Sequence, residues 1–212
     1  MRYGIYGGAF DPIHLGHLLL AESCLSQAKL DRIVFVPTGV SPHRIGKASY
    51  HASAEDRFNM IESAILGCDE FWVSRYEIDR SERSYTVDTL SYFEHSFALI
   101  KPELFLVMGA DMFNDLPNWH EPAEICRLAT PLVACRPDSA SPYFEALGGI
   151  IASERIEEIR AAMIHMPQID ISSTRIRAAV TAGQSIRFQV PRSTEAYIAS
   201  HGLYLEMSKA SV

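Results

Sequence analysis

Residues 2–17 read RYGIYGGAFDPIHLGH, and three conformational regimes follow one another along them. Arg2 to Tyr6 is a short apolar run suited to a buried strand. Gly7-Gly8 break it, and a helical spacing then sets in with Leu18, Ala21, Leu25 and Ala28 on one face. Strand, glycine turn and helix make the opening unit of a parallel α/β sheet if the pattern repeats. The glycines let a backbone come within hydrogen-bond distance of a ligand, and the helix start offers unpaired N–H groups to an anion. His14 and His17, three positions apart, fall on the same side of that helix start. There both can donate hydrogen bonds to a phosphate and, when protonated, add positive charge.

Working outward, the pattern does repeat. The apolar run Ile33 to Val36 ends at Pro37 and gives way to TGVSPHRIGKASYHAS, residues 38–53, whose Gly, Pro and Ser content excludes a regular element. Ser53 is placed to cap a helix carrying Phe58, Ile61 and Ile65, with Glu55 and Asp56 in its first turn where the helix dipole favours negative charge. Phe71 to Val73 reads as a strand, and Thr86 opens a helix with Val87, Leu90 and Phe93 on one side. Leu104 to Met108 is an apolar strand ending at Gly109. Pro122 suits a first helical position, and Leu132 to Cys135 is a further strand closed by Arg136-Pro137. The Ser-, Pro- and Gly-rich segment from Asp138 to Gly149 reads as a surface excursion. Ser153 to Met163 reads as a helix and Ile169 to Ile171 as extended chain. Ser172 or Ser173 then caps a helix carrying Ile176, Ala179 and Val180 that stops at Gly183, and a last helix spans about Ser193 to His201.

Short, nearly continuously apolar strands alternating with helices predict a doubly wound α/β fold with a parallel sheet covered on both faces. The chain reads as one domain over residues 1–212, with a small helical part from about residue 172. Ligands of such folds bind beyond the carboxyl ends of the strands, so the loops after Tyr6, Val36, Met108 and Cys135 are expected to converge on one crevice.

The formal net charge of −7 disfavours broad binding to nucleic acid, which needs many Lys and Arg on one surface. A small anionic substrate needs only a few converging cations, and Arg44, Lys47, Arg136, Arg175 and Arg177 stand in predicted loops or helix starts. Cys24, Cys68, Cys126 and Cys135 form no CxxC pair, so buried free thiols are expected. The chain starts directly in a strand without a signal-peptide pattern, and no stretch approaches the roughly 18 apolar residues of a membrane span. A cytoplasmic location is the resulting expectation.

Other readings of the first turn fare worse. Two histidines suit zinc, but zinc needs a third ligand, and nothing near except Asp11 offers itself. Residues Ser41 to Ala48 come close to a P-loop, yet Ser41 replaces its first glycine and Ala48 the hydroxyl residue that holds magnesium. No GxGxxG follows the first strand and no GxSxG elbow is present, which disfavours a dehydrogenase and a hydrolase.

GGAFDPIHLGH resembles the HxGH signature of the nucleotidyltransferase superfamily, and ISSTRIR, residues 171–177, resembles its ISSTxIR signature. SPHR (41–44), SYT (84–86), GADM (109–112), LPNW (116–119) and HGLY (201–204) are similar to segments of the bacterial nicotinate-nucleotide adenylyltransferase family, and the resemblance runs nearly the full length. It implies a Rossmann-like nucleotidyltransferase fold and transfer of AMP from ATP to nicotinate mononucleotide in NAD biosynthesis, with Mg2+ carried by the ATP phosphates and no metal ligand from the protein. It also implies His14, His17 and Arg177 as catalytic groups. ATP is expected at Gly7, Gly8, Ala9, Phe10, Gly109, Asp111, Ser172, Ser173 and Thr174. The acceptor is expected at His43, Arg44, Tyr85, Thr86, Trp119 and Arg136. A homo-oligomer is compatible with the family, and neither nucleic acid nor membrane is expected as a partner. Three departures stand out: Ala9 lacks the usual hydroxyl, Ser41 replaces the proline of PPH, and Arg83 replaces the residue expected before SYT. Transfer to nicotinamide mononucleotide, phosphopantetheine or another small phosphate acceptor is the alternative within enzymes, and a non-catalytic nucleotide sensor the alternative outside them.

Overall fold

The computed structural model describes residues 1–40, 50–135 and 141–205, without the side chains of Ile100 and Cys135. Six strands form one sheet: β1 (Arg2–Gly8), β2 (Arg32–Pro37), β3 (Phe71–Val73), β4 (Glu103–Gly109), β5 (Ala129–Cys135) and β6 (Ile164–His165). Their order is β3-β2-β1-β4-β5-β6, every pair parallel. The chain winds outward one way from β1 and then the other way from β4. The crevice between the carboxyl ends of these two strands is therefore the topological switch point.

Eight helices cover the sheet among the described residues: α1 (Leu15–Gln27), α2 (Ala54–Ala64), α3 (Thr86–Ser96), α4 (Ala110–Asp115), α5 (Pro122–Leu128), α6 (Ser153–Ala161), α7 (Ser173–Thr181) and α8 (Arg192–Ser200). Strand side chains alternate between faces. Ile33, Phe35, Phe105 and Val107 enter one core with α1, α2, α7 and α8, whereas Val34, Val36, Leu104 and Leu106 enter the other with α3 to α6. Because both faces are covered, the strands look continuously apolar in sequence even though each residue belongs to one side. Start signals read from the sequence hold. The Ser53 hydroxyl accepts from the Asp56 N–H (3.0 Å) and the Asp56 carboxylate from the Ser53 N–H (3.3 Å), a reciprocal cap worth about 1 kcal/mol. Among the described residues no helix is long and apolar enough to cross a membrane.

Three local expectations need correction. β1 does not end at Tyr6 but continues through Gly7 and Gly8, which pair with Val36 and Pro37, because a backbone ladder needs no side chains. α1 buries Gly16, Leu20, Ala21 and Cys24, and the expected Leu18, Leu25 and Ala28 pack partly buried against the same core. In the described part of the 138–149 segment, Phe144 (2% exposed) and Leu147 (0%) plug the second core from a 3-10 turn, Phe144–Leu147. The extended chain expected at 169–171 is not a strand. The two-residue β6 lies earlier, paired with Ala134 and Cys135, and is too short to carry a periodic signal.

Candidate active site

Between β1 and α1 the chain makes a loop three of whose carbonyls are held from the protein side. Arg57 Nη1 donates to the Ala9 carbonyl (2.9 Å), Arg177 Nη1 to that of Asp11 (2.7 Å) and Ser173 Oγ to that of Pro12 (2.9 Å). In a trans peptide the C=O and the following N–H point in opposite directions. Holding the Ala9 carbonyl on the buried guanidinium therefore aims the Phe10 N–H at the open side of the loop. The Asp11 carboxylate is fully engaged: it accepts from the backbone N–H groups of His51 (2.8 Å) and Ala52 (3.1 Å) and from the Tyr204 hydroxyl (2.8 Å). That occupation leaves it poorly suited to a metal, and among the described residues no group of three or more His, Cys, Asp or Glu is arranged to hold one.

Phe10 adopts a left-handed backbone (φ 47°), and its ring is 1% exposed, edge-on to Tyr6, Phe35 and His17. The residue expected to touch ATP thus has only its backbone to offer; its side chain is a plug beneath the loop. A Cβ at Gly8 would stand 2.9 Å from the Phe10 ring, so this ring is the reason for glycine there.

His14 is the residue before the first turn of α1 and His17 the third residue within it. Their rings stack at 3.6 Å with an 18° tilt, and the His14 N–H donates to His17 Nδ1 (3.2 Å). A neutral His17 with Nδ1 accepting carries its proton on Nε2. The His14 N–H thus holds His17 by Nδ1 and leaves Nε2 as the ring nitrogen that carries a proton in the neutral form, while the buried His14 backs the ring.

At the start of α7 the Ser172 hydroxyl accepts from the Arg175 N–H (3.3 Å), and Arg177 Nη2 reaches the Thr174 hydroxyl (3.3 Å). The bonds Ser173 to Pro12 and Arg177 to Asp11 join this turn to the first loop across more than 160 positions. The two predicted turns do meet. Among the described residues they line two neighbouring hollows. Gly7, Gly8, Ala9, Tyr85, Thr86 and Trp119 share a cleft of about 640 Å³ at the β1–β4 switch point. Thr174 and Arg177 line a neighbouring hollow of about 430 Å³ with His51 and Tyr204.

On the far side of the cleft, Tyr85 precedes α3 and Thr86 opens it, with the Tyr85 ring 4.5 Å from that of His120. Trp119 Nε1 donates to Asp115 (3.2 Å), which fixes the indole at the cleft wall. Gly109 precedes α4, and the exposed Asp111 folds back over it so closely that a Cβ there would lie 2.7 Å from Asp111 Oδ1. His43, Arg44 and Arg136, together with Lys47, lie outside the described residues.

The cytidylyltransferase-like family profile matches residues 5–179. A protein of Thermomicrobium roseum described as a probable nicotinate-nucleotide adenylyltransferase is 39% identical over 203 residues, covering 96% of this chain and 91% of its own. One of Roseiflexus with the same description is 42% identical over 201 residues, covering 95% and 96%. The chain belongs to the nicotinate-nucleotide adenylyltransferase family. Its fold matches that of Plasmodium falciparum nicotinic acid mononucleotide adenylyltransferase complexed with NaAD, at a TM-score of 0.71 and 20% identity, covering 96% of this chain and 97% of that one.

Within this adenylyltransferase scaffold, two buried groups at the site escaped the sequence reading. Arg57 is 1% exposed; besides Ala9 it donates to the Thr38 carbonyl (2.8 Å), and its guanidinium lies 4.2 Å from the Tyr50 ring centroid. A signal existed, since Arg57 is three and four positions from the buried Met60 and Ile61 and so shares their face. Glu77 lies in the cleft wall and accepts from the Thr89 hydroxyl (2.7 Å). Burial pushes its carboxyl above the ordinary carboxylate range, with the Thr89 hydroxyl and the Gly39 N–H pulling the other way. The folded state therefore holds this proton to higher pH than the unfolded chain does. The corresponding stability is present below the ordinary carboxylate range and is lost as pH rises through the raised value. Urea unfolding across that window should show stability falling with pH in the wild type and a flatter curve in Glu77→Gln; parallel curves would remove Glu77 as the cause.

Proposed function

We propose that the chain transfers AMP from ATP to nicotinate mononucleotide, forming nicotinate adenine dinucleotide and pyrophosphate. The observation that supports the reading is the bonding of the α7 start to the β1–α1 loop, by Ser173 to the Pro12 carbonyl and Arg177 to the Asp11 carbonyl, beside the Tyr85–Trp119 cleft that the glycines of β1 also line. ATP enters as its magnesium complex, the ion riding on the phosphates. An oxygen of the acceptor phosphate attacks the α-phosphorus in line, and pyrophosphate leaves. The acceptor oxygen is already anionic, so no general base is required. What the protein must do is hold two anions together and stabilise charge building on the leaving group. Loop N–H groups, His17 and Arg177 supply those donors, and the exposed Asp111 suits a ribose hydroxyl.

On the acceptor side the Trp119 face suits a pyridine ring. The first N–H groups of α3 have no partners within the helix and carry the positive end of its dipole. A carboxylate gains from that environment and a neutral amide gains little, which favours nicotinate over nicotinamide. Pyrophosphate release from ATP is the test, with nicotinate mononucleotide, nicotinamide mononucleotide and phosphopantetheine as acceptors. Nicotinate should lead by on the order of tenfold or more, about 1.4 kcal/mol. Release with phosphopantetheine alone would reassign the acceptor, and no release with any would make the chain a sensor.

A further inference from the structure

The HGLY segment lies at the end of the described chain, and nothing in the proposed reaction uses it. We infer that Tyr204 is a positioning residue that holds Arg177 and the β1–α1 loop in their working geometry through Asp11. The inference rests on the adenylyl transfer proposed above and adds a residue to it.

Tyr204 is tied at both ends. Its carbonyl accepts from the Thr181 hydroxyl (2.8 Å), and its own hydroxyl donates to Asp11 Oδ1 (2.8 Å), 193 positions away. The Asp11 carbonyl in turn takes Arg177 Nη1 (2.7 Å). Arg177 and Thr181 are one turn apart on α7, and the Thr181 hydroxyl also lies 3.0 Å from the Arg177 carbonyl. The bonds thus form a closed circuit from α7 to Tyr204, to Asp11 and back to α7. Tyr204 adopts a left-handed backbone (φ 64°), which turns its ring under the loop from a chain that would otherwise run past it. Burial first, then the neighbouring Asp11 carboxylate, hold the phenol well above the ordinary tyrosine range. Its oxygen is therefore always a donor where the enzyme works. Without that hydroxyl, Asp11 Oδ1 keeps, among the described residues, the Ala52 N–H, and the residue whose carbonyl anchors Arg177 is held from one side.

Tyr204→Phe removes one oxygen and keeps the ring, so the fold should persist. We expect kcat/KM for ATP to fall roughly tenfold, as for loss of one hydrogen bond to a charged group, with KM for nicotinate mononucleotide changed less than about twofold. The decisive reading is a double-mutant cycle with Arg177→Ala. Since the circuit is already open in Arg177→Ala, adding Tyr204→Phe there should cost less than about twofold more. Equal losses in both backgrounds, or a Tyr204→Phe enzyme with wild-type kcat/KM, would overturn the inference. ATP affinity measured by calorimetry on the same four proteins reads the circuit without the acceptor. A wild type that binds ATP but releases no pyrophosphate would therefore sink the proposed reaction and still test the circuit by the same non-additivity.

Discussion

His17→Ala is expected to lower turnover at least about a hundredfold while ATP affinity stays within about threefold, the usual size of effect when one positioned donor to developing charge is removed. The structure gives the reason for the asymmetry. His17 is held by the His14 N–H on Nδ1 and backed by the His14 ring at 3.6 Å, so its ring is fixed before substrate arrives. A donor fixed in advance contributes most where charge grows during the reaction. In the proposed reaction, ground-state binding of the triphosphate would draw on many other groups, including the loop N–H groups and Arg177. Steady-state pyrophosphate release together with calorimetric ATP binding separates the two quantities. Near-normal turnover would remove His17 from the chemistry, and a loss confined to ATP affinity would make it a binding group only.

The second large effect is on stability. Arg57→Met keeps a long side chain in a buried slot but strips the donors from the Ala9 and Thr38 carbonyls. Both bonds are only partly buried, so each carbonyl that loses its donor should cost toward the low end of the roughly 1–3 kcal/mol for an unpaired buried group, and destabilisation of about 2–4 kcal/mol is expected. For a chain of this size that lowers Tm by roughly 5–15 °C. Arg57→Lys should rescue little, because one ammonium on a flexible stem does not reproduce a planar fork reaching two carbonyls. Activity should fall beyond what the unfolded fraction explains, since the Ala9 carbonyl sets the direction of the Phe10 N–H. Thermal unfolding of the wild type and of the Arg57→Lys and Arg57→Met variants, compared at one pH, checks this. A loss below about 1 kcal/mol would show that the two carbonyls have other support.

These experiments also mark where local reading stopped. The alternation of strands and helices, the Ser53 and Ser172 caps, Pro122 at a first helical position and the glycine turn after β1 were all legible, because each is a property of a few neighbouring residues. Arg57 was not read as buried, since a lone arginine on a helix belongs by default to solvent, and that default outweighed its sharing a face with Met60 and Ile61. Phe10 was read as a ligand contact from its place in the motif, and its left-handed backbone sends the ring the other way. Phe144 and Leu147 were lost in a polar segment whose composition outweighed two apolar side chains. Asp11 was weighed only as a metal ligand, although its partners, His51, Ala52 and Tyr204, lie 40, 41 and 193 positions away.

By itself the sequence determined the class of fold, the order of its elements and the two turns that carry the family's signatures, because hydrophobic period, caps and glycine turns are written within a few residues of one another. The tertiary structure alone decided that the two turns are bonded to each other, that the His14 N–H holds His17 by Nδ1, that a buried arginine orients the loop, and that a tyrosine near the chain's end reaches its beginning. The physical reason is the strand order β3-β2-β1-β4-β5-β6: it gathers carboxyl ends remote in sequence at one edge, and hydrogen bonds formed there depend on that gathering and not on any local pattern.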